Sequence, residues 1–264
     1  MPVILKSRRE IENMRRAGRL AHQILQQMKS ACAPGVTTGE LNAIAAEILT
    51  ANNAIGTSKN YPTYKPGEGY PAESCISVNE EVVHGIPGPR KLREGDVVTL
   101  DMALMLDGYC SDTAITVPIG SVSPKVQKLL DITESALKLA LQHIKPGKRW
   151  SDIARMMQYN IEKNGFSVVR EFVGHGVGRS MHEDPKVPNF VTAEQLRHDF
   201  RLKPGMTIAV EPMVVMGKRE VVLLEDQWTV ITADRLPAAH FEHTIAVTET
   251  GVDVLTDGRA PQGV

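Results

Sequence analysis

The chain reads as an α+β protein made of two similar halves that share one sheet. Three observations carry that reading. A helical stretch stopped by Pro-Gly occurs twice, at Pro34-Gly35 and at Pro146-Gly147. Each helical region is followed by a β-rich stretch. The order His-Gly, acid, acid also occurs twice, as His84, Asp101, Asp112 and as His175, Glu211, Glu242. Self-similarity on this scale marks a duplicated unit. The halves run over about 7–120 and 121–251, and no Ser/Gly-rich linker separates them. A single domain over 1–264 is therefore expected.

The elements follow from caps and periodicity. Ser7 and Glu10 form a capping-box pair, and Ile11, Met14, Gly18, Ala21, Leu25 and Met28 recur at helical spacing up to Ala33. Thr37 with Glu40 opens a second helix bearing Leu41, Ile44, Ile48 and Leu49. Ser123-Pro124 opens a third through Val126, Leu130, Leu137, Leu141 and Ile144. Ser151 is the expected cap of a fourth, closed by Asn164-Gly165. Asp96–Leu106 and Tyr109–Val117 read as strands joined by the two-residue turn Asp107-Gly108. Met206–Val215 and Phe241–Val247 are strand-like, with Glu211 and Glu242 inside them.

Composition excludes several classes. Of the 264 residues 42 % are hydrophobic, and the formal net charge is −1 with no run of like charges, so a nucleic-acid face is not expected. Three scattered cysteines, Cys32, Cys75 and Cys110, suit a reducing compartment and match no metal motif. No signal peptide or membrane span is read, and the expected location is cytoplasmic.

The acids point to metal chemistry. If Leu106 opposes Tyr109 across the turn, Ala103 opposes Asp112, and Asp101 lies on the same face as Ala103. The two carboxylates are then diagonal neighbours with β-carbons roughly 7 Å apart. Carboxylates inside apolar strands are costly unless paired or metal-bound. Two imidazoles and four carboxylates converging from both halves suit a two-metal hydrolytic site. No Gly-x-Ser-x-Gly elbow is present, nothing near Cys75 would activate it, and no Gly-rich turn leads from a strand into a helix as a phosphate cradle requires. His22, His143 and His198 read as ordinary surface histidines, and alternation places His240 and His243 off the face of Glu242 or beyond it.

A set of ordered strings then matches a family. They are Gly69-Tyr70-Pro71, Ser77-Val78-Asn79-Glu80, His84-Gly85-Ile86-Pro87, Asp101, Ser111-Asp112-Thr113, Gly174-His175-Gly176-Val177-Gly178, His182-Glu183, Glu211-Pro212-Met213, Trp228-Thr229 and Glu242-His243-Thr244. Over nearly its whole length the chain resembles the type I methionine aminopeptidases of the pita-bread fold. The resemblance implies a curved, mainly antiparallel sheet covered by helices, forming a single catalytic domain. It implies that Asp101, Asp112, His175, Glu211 and Glu242 bind two divalent metal ions (Co, Mn, Fe or Zn), with Asp112 and Glu242 bridging. It implies that His84 and His182 contact the substrate, and that Tyr70, Cys75 and Trp228 line a methionine pocket. Met181 stands before His182, where the family often has an aromatic residue. The segment Gly56–Glu68 looks longer than in compact bacterial members, with Lys65-Pro66-Gly67-Glu68 in place of the usual side chains. Pro237-Ala238-Ala239-His240-Phe241 leaves an auxiliary cation site nearby open.

The expected reaction is removal of the initiator methionine from nascent polypeptides, with small second residues preferred. A metal-activated water attacks the first peptide carbonyl, Glu211 takes its proton, His84 steadies the developing charge and His182 positions the next carbonyl. The expected partners are nascent N-termini, met at the ribosome, with no nucleic acid and no membrane, for a monomeric enzyme. Two alternatives are an X-Pro aminopeptidase or prolidase on the same fold, and a pita-bread binding protein without activity. Release of free Met separates the first; loss of metal ligands would mark the second, and all five are present.

Overall fold

The computed structural model describes residues 2–62 and 69–260. The pocket-rim residues Lys65-Pro66-Gly67-Glu68 lie outside the described residues. The first elements are α1 (Arg8–Ala31), α2 (Thr38–Ala51), β1 (Ile55–Gly56), β2 (Cys75–Val78), β3 (Glu81–Val83), β4 (Val97–Leu106) and β5 (Tyr109–Pro118). Next come α3 (Pro124–His143), α4 (Trp150–Glu162), β6 (Ser167–Val168), β7 (Gly174–Gly176), β8 (Glu183–Val187) and α5 (Ala193–Arg197). The chain then runs through β9 (Thr207–Val210), β10 (Met213–Val215), β11 (Val221–Leu223), β12 (Val230–Thr232), β13 (Ala238–His240), β14 (Glu242–Val247) and β15 (Val252–Val254).

The helix starts follow local chemistry. Ser7 and Thr37 both close capping boxes, with Glu10 and Glu40 reaching back to the cap amides. Ser123 caps α3 with Pro124 in its first turn. Ser151 does not cap α4. That helix begins at Trp150, its cap position is Arg149, and no side chain of the cap residue bonds to it. Instead Asp199, from a distant segment, accepts the Ser151 amide at 3.0 Å and the Ser151 hydroxyl at 2.8 Å. A carboxylate at a helix N-terminus satisfies an orphan donor and complements the dipole, whichever segment supplies it.

Strand pairing is antiparallel throughout. A nine-stranded sheet runs β1-β4-β5-β14-β9-β7-β8, with β2 also on β4 and β15 also on β14. The β4–β5 hairpin holds the expected register, Leu106 opposite Tyr109 and Ala103 opposite Asp112. Asp107 and Gly108 both take positive φ (51° and 77°), the turn whose twist matches paired strands. At the centre β5 pairs β14, where the two parts of the chain meet. Threonines stitch that seam: the Thr244 hydroxyl accepts from the Asp112 amide at 2.9 Å and donates to the Asp112 carbonyl at 2.8 Å, while Thr113 donates to the Glu242 carbonyl at 2.8 Å.

The apolar run 206–215 is not one strand. Glu211-Pro212 separates β9, in the large sheet, from β10, in a three-stranded sheet β13-β10-β6. Pro212 has no N–H to donate, so the ladder breaks there and the chain changes sheet. The chain returns between His240 at the end of β13 and Glu242 at the start of β14.

Two apolar cores flank the sheet. One joins α1 and α2 to β2, β4 and β5 through residues such as Ile24, Met28, Leu41, Leu100 and Leu104. The other joins α3 and α4 to β9 and β14 through Leu137, Trp150, Met157, Ile208 and Ile245. Each such side chain contributes roughly 1.5–3 kcal/mol on burial. These layers fix the sheet that carries the acids.

Candidate metal centre

The strand register brings the acids to one face. Asp101 on β4 and Glu242 on β14 both pair with Ala114 on β5, so the three form a row across the sheet. Asp112 is two residues from Ala114 and points the same way. Ala114 is small enough to leave room between the carboxylates. Glu211 enters from the β9–β10 break, where the Asn189 amide holds its carbonyl at 3.0 Å.

His175 enters from β7 between two glycines that must be glycines. A Cβ on Gly174 would lie 2.4 Å from the Ala209 carbonyl oxygen, and one on Gly176 would lie 2.3 Å from that of Asp184. The His175 Nδ1–H donates to the Gly176 carbonyl at 2.8 Å, which turns Nε2 to the acids. Nε2 lies 3.6 Å from Asp112 Oδ2 and 3.7 Å from Glu211 Oε1. One ligand atom each of Asp112, His175 and Glu242 lie within 4.8 Å of one another.

The electrostatics are those of a site short of positive charge. Burial, then the charges of Asp112 and Glu211, push the Asp101 carboxyl well above the usual range. Burial, then the same two neighbours and Asp101, do so for Glu242. Glu211 is raised to about 7 by burial, against the pull of His175. Burial would raise Asp112 too, but its contact with His175 outweighs this and holds it below its ordinary value. Burial works against the His175 imidazolium, yet Asp112 and Glu211 lift it to about 9. Asp112 Oδ1 and Glu242 Oε1 are buried without a hydrogen-bond partner. Buried, unpartnered and mutually repelling carboxylates fit divalent cations, and oxygen donors with one imidazole fit the harder ones.

The substrate-contact candidates surround the acids. His84 takes φ +59° at the end of β3, and its ring meets Phe172 edge-on at 5.4 Å. Burial lowers it to about 4, so it is neutral at neutral pH. The His182 ring lies 4.2 Å from that of His175, tilted by 58°; it shares a hydrogen bond with the Tyr61 hydroxyl at 2.9 Å and is lowered to about 4 by burial and the His175 charge. On the apolar side Tyr70 meets Trp228 edge-on at 5.2 Å and donates its hydroxyl to the Gly85 carbonyl at 2.7 Å. Cys75 packs in the same cluster, with its thiol pushed far up by burial and the Asp101 charge, so it is no nucleophile. Met181 accepts at sulfur from the Thr57 hydroxyl at 3.2 Å.

All eleven side chains singled out in the sequence line one cavity of about 180 Å³. Tyr61, Phe172 and His240 also line it and were not singled out. His240 Nε2 lies 3.7 Å from Glu211 Oε2, so His240 is not beyond the site. Its spacing of two from Glu242 was the available signal. His243 instead faces the opposite side of the sheet, where it meets the Thr256 hydroxyl at 2.8 Å. Among the described residues no helix is long and apolar enough to cross a membrane.

Residues 12–249 match the profile of metallopeptidase family M24. The chain is 46 % identical over 254 residues to methionine aminopeptidase 1 of Bacillus subtilis (strain 168), covering 96 % of this chain and 99 % of that one. It is 42 % identical over 258 residues to methionine aminopeptidase of Escherichia coli (strain K12), covering 97 % and 94 %. A crystal structure of methionine aminopeptidase from Thermotoga maritima superposes with a TM-score of 0.90 at 39 % identity, covering 97 % and 99 %. The fold is the pita-bread fold of these relatives.

Proposed function

The chain belongs to metallopeptidase family M24, and from that membership we infer that it is a metal-dependent methionine aminopeptidase that removes the initiator methionine from nascent chains. The observation that carries this reading is the shared cavity. A buried carboxylate–imidazole cluster and the apolar side chains of Tyr70, Cys75, Met181 and Trp228 line the same cavity of about 180 Å³. The names of the relatives at 42–46 % identity support the same substrate.

Asp101, Asp112, His175, Glu211 and Glu242 would hold two divalent cations in this reading. Bound cations supply an activated water, a polarised scissile carbonyl and an anchor for the free α-amine. Glu211, whose carboxylate enters the cavity beside the other acids, takes a proton from the attacking water at a carboxylate oxygen. His84, neutral and fixed at the cavity wall, hydrogen-bonds at the scissile amide as charge develops. His182, held by Tyr61, positions the next carbonyl. Tyr70, Cys75, Trp228 and Met181 enclose the methionine side chain, whose flexible thioether suits a slot of mixed shape. Small second residues are accepted because His84, His182 and Phe172 crowd the space past the first residue. The enzyme works as a monomer in the cytoplasm on chains emerging from the ribosome. It forms a single catalytic domain over 1–264, with repeats 7–120 and 121–251.

Release of free methionine from a Met-Gly-Met peptide and of the first residue from X-Pro peptides, each with and without Mn(II), tests the reading. We expect Mn-dependent release of methionine alone. Preferential cleavage before proline, or full activity after exhaustive chelation, would sink it.

A further inference from the structure

His240 is 2 % exposed, and neither of its ring nitrogens has a hydrogen-bond partner. A buried imidazole with both nitrogens unmatched costs stability and calls for a partner that arrives in the working state. Two features aim it. The Thr116 hydroxyl clamps its backbone, accepting from the His240 amide and donating to the His240 carbonyl, both at 2.8 Å. Thr116 is in turn tied to Thr99 at 2.9 Å. His240 also pairs with Met213 across β13 and β10, two residues past Glu211. Both side chains therefore sit where the chain passes between the two sheets, and both backbones are pinned, Glu211 by Asn189.

The ring faces Glu211 Oε2 at 3.7 Å, while Oε1 lies 3.7 Å from His175 Nε2. The carboxylate thus stands between two imidazoles, one on each oxygen. The 3.7 Å gap is too long for a hydrogen bond. Contacts of this kind are often long before substrate binds.

We propose that His240 is a positioning residue for Glu211: its Nε2–H donates to Glu211 Oε2 and fixes the carboxylate plane, leaving Oε1 to face the reaction. This rests on the role given to Glu211 above. His240 Nε2 faces the Glu211 carboxylate at 3.7 Å. It acts on a ligand rather than on a cation.

The test compares wild type with His240→Leu, His240→Gln and His240→Ala, all loaded with Mn(II). Three quantities are read: kcat and KM for Met-Gly-Met, bound Mn by calorimetry, and the thermal midpoint. Removing a group that orients a metal ligand typically lowers activity 10–100-fold. We expect His240→Leu to lose about that much in kcat with KM within about twofold. It should bind as many ions as wild type and be at least as stable, because an unmatched imidazole has been replaced by an apolar side chain. His240→Gln, which keeps an N–H donor, should recover most of kcat, and His240→Ala should behave as His240→Leu does. The proposal fails if His240→Leu keeps wild-type kcat, if it binds one ion fewer, which would make His240 a ligand, or if His240→Gln is no better than His240→Leu. A wild-type enzyme that releases no methionine would instead overturn the functional reading, so the two failures are distinct.

Discussion

His84 and His175 stand in matching contexts, each followed by glycine, yet their surroundings separate them. His175 has its Nδ1 committed to the Gly176 carbonyl and its Nε2 among acids. His84 is lowered to about 4 by burial and packs edge-on to Phe172. His175→Ala should therefore bind metal more weakly and recover part of its activity in excess Mn(II). His84→Ala should keep its metal and lose turnover by about 10²–10³-fold. Calorimetric stoichiometry with rate constants for both variants decides this, and reversed behaviour reverses the roles. At this scale most of the site could be read from the chain. Asp101 and Asp112 were placed by hairpin register alone, because a two-residue turn leaves one pairing open. His240 was harder. Its strand ends at His240 and a new one starts at Glu242 in another sheet, so simple alternation along a continuous strand does not describe it.

Helices whose caps are local were legible, and the one whose cap is remote was not. Ser7, Thr37 and Ser123 each bond an amide three residues on. The start of α4 instead depends on Asp199, supported by Arg149 at 3.1 Å. Burial would raise the Asp199 carboxyl, but bonds from Ser151, Arg149 and the Phe200 amide hold it below its usual range. Asp199→Ala should cost about 1 kcal/mol in urea denaturation. The pH dependence has a definite sign. A carboxyl lowered on folding stabilises fully above its unfolded pKa of about 3.9, and that stability is lost as pH falls through the folded value. The gap between wild type and variant should thus be flat from neutral pH to about 5 and shrink below about 4. A gap that widens in acid would show that Asp199 does not act as a charged cap. The break at Glu211-Pro212 was in the chain, but an apolar run on both sides of it reads as one strand. Only the change of sheet shows why a proline belongs there.

The whole molecule draws its acids from both parts of the chain. β4 and β5 from one part and β9 and β14 from the other meet at the β5–β14 pairing, so no stretch of chain holds the site alone. The repeat of His, acid, acid made this legible, whereas the second sheet and the rim formed by Tyr61 were not, since neither has a periodic signature. Chelated enzyme should be inactive toward Met-Ala peptides and regain activity with Mn(II), Fe(II) or Co(II). Reloaded enzyme should cleave Met-Ala far faster than Met-Lys at equal concentration. Equal rates would remove the crowding assigned to His84, His182 and Phe172.

At this seam a bound cation would act as a reversible cross-link. A metal held by Asp112 and Glu242, as proposed above, would tie two strands that are remote in the chain, and only while β5 and β14 are zipped. Unlike a disulfide, such a tie has a strength set by the surroundings: a ligand binding only the folded state adds about 2.7 kcal/mol at one hundred times its Kd. Metal starvation would then do more than idle the enzyme. It would leave like charges facing one another across the join and shorten the life of the molecule, so that the amount of protein in the cell tracks the metal it needs.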